Sequence, residues 1–427
     1  MPRAGKGYYV LHRFLPSFAF ALVCIAQTPP GPLTVQDAVR EAIDKNLSLL
    51  AERHNVSIAD ARIIQARLKP NPVLSLGLDY QDFLREGFTL SGNQGPPEWN
   101  ARVDFVLERG GKRAYRVEVA ENAKAVAQLQ LLNTIRQLVI DVENAFVDVQ
   151  AAGESVALRK ENLRSLNDVV AINTNRVRAG DLSQLELIRS RLAALQFRNS
   201  VGQAELKLAT AKSRLALLVG HPAWAQALEV QGDIRRDTGV VATGTLQTAA
   251  FQMRPDLQAL AKDQARSQAD LKLQIAQSKV DYTVGAEYHR QYDIVHADAI
   301  GVFFSAPIPV FNRNQGEIER ARREDKQIET RILALQASIA SELDTAYLQY
   351  ATSRGLLENI EKTMLQEARE VRRITEYSYR RGEASLLEFL DAARAFNDTM
   401  QSYNDARADF ARSLYLLDSV SGKAVTP

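Results

Sequence analysis

Apolar residues along the chain follow two periods. Over 72–80, Leu74, Leu76, Leu78 and Tyr80 face one way and Ser75, Gly77 and Asp79 the other. Over 99–108, Trp99, Ala101, Val103, Phe105 and Leu107 alternate with Asn100, Arg102, Asp104, Val106 and Glu108. Over 280–289, Val280, Tyr282, Val284, Ala286 and Tyr288 alternate with Asp281, Thr283, Gly285, Glu287 and His289. Over 299–309, Ile300, Val302, Phe304, Ala306 and Ile308 alternate with Gly301, Phe303, Ser305, Pro307 and Pro309. Alternation of this kind predicts four strands. Elsewhere the period is helical. Leu129, Leu132, Ile135, Leu138, Val139, Val142, Ala145 and Phe146 fall at three- and four-residue steps, as do Ile328, Ile332, Leu335, Ile339, Leu343, Ala346 and Leu348. No proline stands between Pro97 and Pro222 or between Pro309 and Pro427. A proline inside a helix costs about 3 kcal/mol, so these gaps permit very long helices. Residues 112–179 would span ~100 Å at about 1.5 Å per residue. An apolar stripe that long must be covered by neighbouring helices.

The pattern is written twice. Gly153, Gly180 and Gly220 recur as Gly355, Gly382 and Gly422, and Arg178 and Glu186 recur as Arg380 and Glu388. We expect a first repeat over 27–220, a connector at 221–244, a second repeat over 245–422 and a short tail at 423–427. Within each repeat a long helix ends at Gly180 or Gly382 and a second helix returns, giving an α-hairpin with a glycine tip.

Charge and composition narrow the class. Lys and Arg number 53 against 51 Asp and Glu, a balance that argues against a nucleic-acid partner. Arg3, Lys6 and Arg13 precede an apolar run over 14–25, followed by Ala26, as in a secretory signal over 1–26. Cleavage there would remove Cys24, the single cysteine, and leave 50 basic against 51 acidic residues. Val23, a bulky residue before Cys24, argues against lipidation. No later stretch is apolar enough for a membrane helix, so an exported chain of this kind enters a membrane through its strands. Nine to eleven residues suit a tilted membrane strand. The charges Arg102, Asp104, Glu108, Asp281 and Glu287 suit a wet lumen, and Tyr80, Trp99, Tyr282 and Tyr288 suit the headgroup level. The alternative for the strands alone is a water-soluble antiparallel sheet with one wet face. Four strands do not close a barrel; several chains together would, and the count alone leaves their number open.

These features, with Leu107-Glu108-Arg109-Gly110-Gly111-Lys112-Arg113 and Pro307-Ile308-Pro309-Val310-Phe311-Asn312-Arg313-Asn314-Gln315-Gly316 at the two strand-to-helix junctions, resemble the outer membrane efflux protein (TolC) family. They are most similar to its heavy-metal, CzcC-like branch. The resemblance covers about 33–422. It implies a mainly α fold with a small β portion: long helical hairpins forming a coiled-coil barrel, and four transmembrane strands per chain in a trimeric 12-stranded β-barrel. It also implies an outer-membrane location with a long periplasmic portion. The partners implied are two further copies, a periplasmic adaptor protein, an inner-membrane efflux transporter of the RND class and outer-membrane lipid. The channel would be an exit duct without cofactor or catalysis.

For the residues, the resemblance implies a periplasmic gate at Tyr379, Glu388, Asp391 and Glu186. Rings of Glu388 and Asp391 carboxylates would attract cations, and their mutual repulsion would raise some of their pKa values. Adaptor contacts would fall on Gly180, Asp181, Leu182 and Ser183 and on Gly382, Glu383, Ala384 and Ser385. Where the family pattern carries an arginine after the tip glycine, this chain has Ala384, with Arg380 and Arg381 as substitutes. The histidines are scattered, and none of the common nucleotide-binding, hydrolase or metalloprotease motifs occurs, so no enzyme is expected. Two alternatives remain: a duct for drug or protein export, and a soluble periplasmic coiled-coil adaptor.

Overall fold

The computed structural model describes residues 31–79, 98–237, 243–291 and 297–423. The signal cleavage site, Cys24 and Tyr80 lie outside them. The chain is mainly helical with one small sheet. α1 (Val35–Lys45) starts at a capping box in which Thr34 and Asp37 satisfy each other's backbone N–H groups. α2 (Leu47–Arg67) leads into β1 (Val73–Asp79). β2 (Glu98–Leu107) leads into α3 (Lys112–Ala179), 68 residues long, and α4 (Gln184–Leu218) returns. A connector containing a short turn of helix at Pro222–Trp224 reaches α5 (Thr243–Met253). α6 (Pro255–Gln277), β3 (Tyr282–Gln291) and β4 (Ala297–Ser305) repeat the scheme. α7 (Gln315–Asn359) then passes through a π-turn at Ile360–Met364 into α8 (Leu365–Arg381), and α9 (Leu386–Val420) returns.

The helices form four lanes. α3 is one lane, and α7 with α8 is another. The other two lanes each stack two helices end to end, α2 on α4 and α6 on α9. Two polar devices make these stacks. Asn46 accepts from the Leu49 N–H and donates to Leu218 O at 2.9 Å, capping the start of α2 and the end of α4 at once. In the other stack Arg136 of α3 donates to the Ser419 carbonyl and hydroxyl at the end of α9. Nearby, Arg254, at the start of α6, is held by Asp256 and Glu342 at 2.6 Å each. Gly220 and Gly422 end α4 and α9 at φ +85° and +81°. Each lies so close to the chain entering the stack that an added Cβ would meet Lys45, the last residue of α1, or Met253, the last residue of α5.

The core lies where lanes meet. Leu138, Val142, Ala145, Phe146 and Val149 of α3 pack with Leu215 and Val219 against α1. In the second repeat Leu343, Ala346, Tyr350 and Leu357 pack on Phe410, Leu414 and Leu417. Two stripe positions depart from the expected pattern. Leu132 and Leu348 are exposed, because each lies on the flank of its helix turned away from the neighbouring lane.

The sheet is antiparallel in the order β1-β2-β3-β4. β3 starts at Tyr282, later than the alternation suggests, because Asp281 is used at the corner. There it accepts from the Arg109 N–H at 2.8 Å and pairs with the buried Lys112 at 2.8 Å. Gly110 and Gly111, both at φ +75°, turn the chain from β2 into α3. The glycine–lysine motif is therefore a corner. β4 ends at Ser305, short of the expected 309, because Pro307 and Pro309 have no N–H to donate to a ladder.

Candidate conduction path, hairpin tips and free edges

Cross-strand register sorts the sheet into two faces. Rows such as Leu74–Val103–Ala286–Val302 and Leu76–Ala101–Tyr288–Ile300 form an apolar face. In the single chain that face is bare: Leu76 is 73% exposed and Ile300 83%. Trp99 meets Tyr288 edge-on at 5.2 Å near one end of it, and Tyr282 meets Phe304 near the other. Trp99 and Leu107, the partner of Tyr282, are separated by about 27 Å of strand at ~3.4 Å per residue. That suits an apolar band with aromatics at its two borders.

The opposite face carries Asp79, Glu98, Asn100, Arg102, Asp104, Glu287 and His289 in matching rows. Arg102 pairs with Asp104 at 2.9 Å and lies over the Phe303 ring at 4.3 Å. His289 bridges toward Glu98 at 3.3 Å and Glu287 at 4.0 Å. Gly285 leaves room here for Asp104, whose Oδ1 stands where a Cβ would be and would have to shift for one. A sheet with lipid-compatible groups on one side and ion-paired charges on the other is a piece of pore wall.

At the opposite end of the lanes both hairpins turn alike. Gly180 and Gly382 adopt φ +86° and +82°. Asp181 N–H donates to Arg176 O and Glu383 N–H to Ser378 O, which satisfies carbonyls left at the helix ends. Ser183 and Ser385 then cap α4 and α9 by accepting from the Glu186 and Glu388 N–H groups. Asp181, Ser183, Glu383 and Ser385 are exposed, while Leu182 and Ala384 are half-buried.

The two hairpins are tied together just above these tips. Tyr379 is buried, stacks on Phe389 at 5.3 Å and donates its hydroxyl hydrogen to Asn173 Oδ1 at 2.7 Å. Burial raises the pKa of that hydroxyl. Arg176 donates to Tyr379 O at 3.3 Å and Arg380 O at 2.6 Å. The arginine that braces this tip thus comes from the first hairpin, while Arg380 pairs with Glu376 on its own helix. Sequence reasoning missed Asn173 and Arg176. The signal for Asn173 was present: it continues the apolar series Leu166, Val169 at heptad spacing as a polar residue in a buried stripe.

Glu388 and Asp391 are exposed on one flank of α9. Glu388 accepts from the Ser385 N–H at 2.7 Å and from the Ser385 hydroxyl at 2.9 Å. Within the chain these bonds hold its carboxyl below the ordinary range, opposite to the rise expected from a ring of like charges. Asp391 faces Arg394 at 3.6 Å. Glu186 is half-buried, and its charge is felt at Tyr379.

The lane order leaves two free edges. α2 and α4 expose Ile58, Ile64, Leu185, Ile188, Leu192 and Leu195. α7 and α8, at the other edge, expose Leu333, Leu348, Val371, Ile374 and Tyr377. Among the described residues β1 and β4 each lack a second strand partner. No helix of the described residues is long and apolar enough to cross a membrane. Among the described residues no three His, Asp or Glu side chains gather to hold a metal ion.

The family model of the outer membrane efflux protein matches residues 38–221 and 246–423. The chain belongs to that family. It is an outer membrane efflux channel by kinship, and its two matched blocks coincide with the two helical hairpins and the strands that precede them. It is 25% identical over 394 residues to the cobalt-zinc-cadmium resistance protein CzcC of Cupriavidus metallidurans, covering 92% of this chain and 91% of that one. It is 25% identical over 335 residues to the nickel and cobalt resistance protein CnrC of the same organism, covering 78% and 76%. Among solved structures, a membrane protein from Pseudomonas aeruginosa superposes with a TM-score of 0.77 at 18% identity, covering 91% of this chain and 92% of the other. The Campylobacter jejuni CmeC outer membrane channel superposes with a TM-score of 0.76 at 14% identity, covering 91% and 86%. The fold is shared well beyond what sequence identity alone would reveal.

Proposed function

We propose that three copies of this chain close edge to edge into a 12-stranded barrel in the outer membrane, continued by a helical tunnel in the periplasm. The tunnel serves as the exit duct of a tripartite pump. The observation that carries this reading is the sheet itself. Its apolar face is uncovered, its opposite face is ion-paired, and among the described residues both of its edges are unpaired. Unpaired strand edges are not tolerated in lipid, so the edges must close on other copies. The apolar stripes on the free edges of the lanes would then become internal seams.

The hairpin tips are the surface offered to a periplasmic adaptor and an inner-membrane transporter of the RND class, and Tyr379 with Asn173 and Arg176 sets the resting tip. Heavy-metal cations are the proposed cargo, supported by the named resistances of CzcC and CnrC. Exposed Glu388 and Asp391 near the tip add a cation-attracting ring. The test has two parts. Purified mature protein should require detergent, migrate as a heat-modifiable trimer and form channels in planar bilayers. Loss of the gene should sensitise its host to cobalt, zinc or cadmium. A water-soluble single subunit would refute the duct, and unchanged metal resistance with lost drug efflux would replace the cargo.

A further inference from the structure

The segment between β4 and α7 is unexplained by the conduction path. Its apolar side chains point away from their own chain: Ile308 is 83% exposed, Val310 59% and Phe311 91%. Yet the segment is braced. Val310 N–H donates to Ile308 O at 2.9 Å, Gln315 Nε2 to Phe311 O at 3.2 Å and Arg313 Nε to Pro309 O at 3.3 Å. Asn314, in the left-handed region at φ +61°, ties it to α6 through Gln274 O at 2.8 Å. A braced elbow that displays a phenylalanine is a docking feature.

Strand geometry identifies what it meets. β1 runs away from the helices and β4 runs back to them, so antiparallel closure sets the foot of β4 beside the foot of a neighbouring β1. The two feet are not level. In the row Val73–Asp104–Gly285–Phe303, Val73 stands six residues past Arg67, the end of α2, while Phe303 stands twelve before Gln315, the start of α7. The row climbs away from the helices on crossing the sheet, as tilted barrel strands require. Because every copy starts at one level, the neighbouring β1 meets β4 about six residues lower than that row. Its Val73 then lies beside 309–311. The elbow lands on the α2–β1 junction of the next copy, where Ile64 is 67% exposed, Leu68 53% and Val73 55%. Both sides of this contact are apolar and uncovered in the single chain.

We propose that the 307–311 elbow seats on the α2–β1 junction of a second copy of this chain, with Phe311 packed among Ile64, Leu68 and Pro70. This contact latches the ring at the barrel foot. The inference rests on closure of the sheet by copies of the chain. Its test is disulfide trapping in a Cys24→Ser background. Leu68→Cys with Phe311→Cys should give covalent dimers and trimers on oxidation, and neither single variant should. Phe311→Ser should lose heat-resistant trimer migration and Phe311→Leu should recover it; Phe311 makes so little contact with its own chain that its loss leaves the subunit fold intact. If wild-type protein is trimeric but the pair does not cross-link and Phe311→Ser keeps the heat-resistant band, the latch is overturned while the duct stands. If wild-type protein is itself a single subunit, the duct falls with it. Phe311→Trp should gain no quenching over wild type in vesicles of brominated phosphatidylcholine; added quenching assigns the elbow to lipid and overturns the proposal.

Discussion

Tyr379 and Asn173 are 206 positions apart, yet the Tyr379 hydroxyl donates to Asn173 Oδ1 at 2.7 Å in a site closed to solvent. This bond joins the second hairpin, about one turn above its tip, to the first, about two turns above its own. Tyr379→Phe should remove it and leave the Asn173 amide unpartnered, since among the described residues Asn173 Nδ2 already has no partner. The expected cost is about 1–3 kcal/mol. A looser tip follows, read as a larger and noisier single-channel conductance. Arg176→Ala should act in the same direction, because its two bonds end on the Tyr379 and Arg380 carbonyls.

Glu388 has two roles to separate. It caps α9, and with Asp391 it faces outward near the tip. Glu388→Ala together with Asp391→Ala should weaken block of the channel by divalent cations in planar bilayers. Glu388→Gln keeps an oxygen for the cap and should lose block with less effect on thermal stability. Unchanged divalent block in the double variant removes these carboxylates from the gate.

Gly382 adopts φ +82°, which proline, locked near −65°, does not reach. Gly382→Pro should abolish pump-dependent efflux while purified trimers still insert and conduct. Normal efflux would take the docking role away from this tip.

Glu143 of α3 is pushed up to about 8, chiefly by burial and further by Asp418, with Arg235 opposing. Among the described residues its Oε2 has no hydrogen-bond partner, and Tyr415 lies within range of its charge. The ordinary value of 4.5 applies to the unfolded chain. Between 4.5 and about 8 the folded chain therefore binds a proton that the unfolded chain releases. Stability from this group is complete at the acid end and declines as pH rises to the top of that window. Melting temperature measured across the window should fall with pH, and Glu143→Gln should flatten the slope.

Gly285 leaves room for Asp104. Gly285→Ala should force that carboxylate off Arg102 and lower the yield of heat-resistant trimer, at a cost of roughly 1–3 kcal/mol. Gly153→Ala is the matched control, since a Cβ there meets nothing within 4 Å.

Much of this protein is written locally. Alternation over nine or ten residues marks strands because side chains on a pleat change face at every step. The proline-free gap before Pro222 sets the reach of α3, and the glycines at 180 and 382 end helices because a left-handed residue suits a chain that must release carbonyls and turn. Capping serines follow each tip for the same short-range reason. The duplication is likewise legible, since it is a comparison of the chain with itself. What the tertiary structure decided are contacts whose partners are some two hundred residues apart. Arg176 rather than Arg380 braces the tip, Asn46 joins two helices end to end, and Asp281 leaves its strand to hold a corner. The π-turn at Ile360–Met364, through which α7 passes into α8 while α3 continues as one helix, is likewise not written in the periodicity. Periodicity tells each residue which side of its own element it occupies. It does not tell which lane lies on that side or at what height, and that depends on how long helices slide and stack once their stripes are buried.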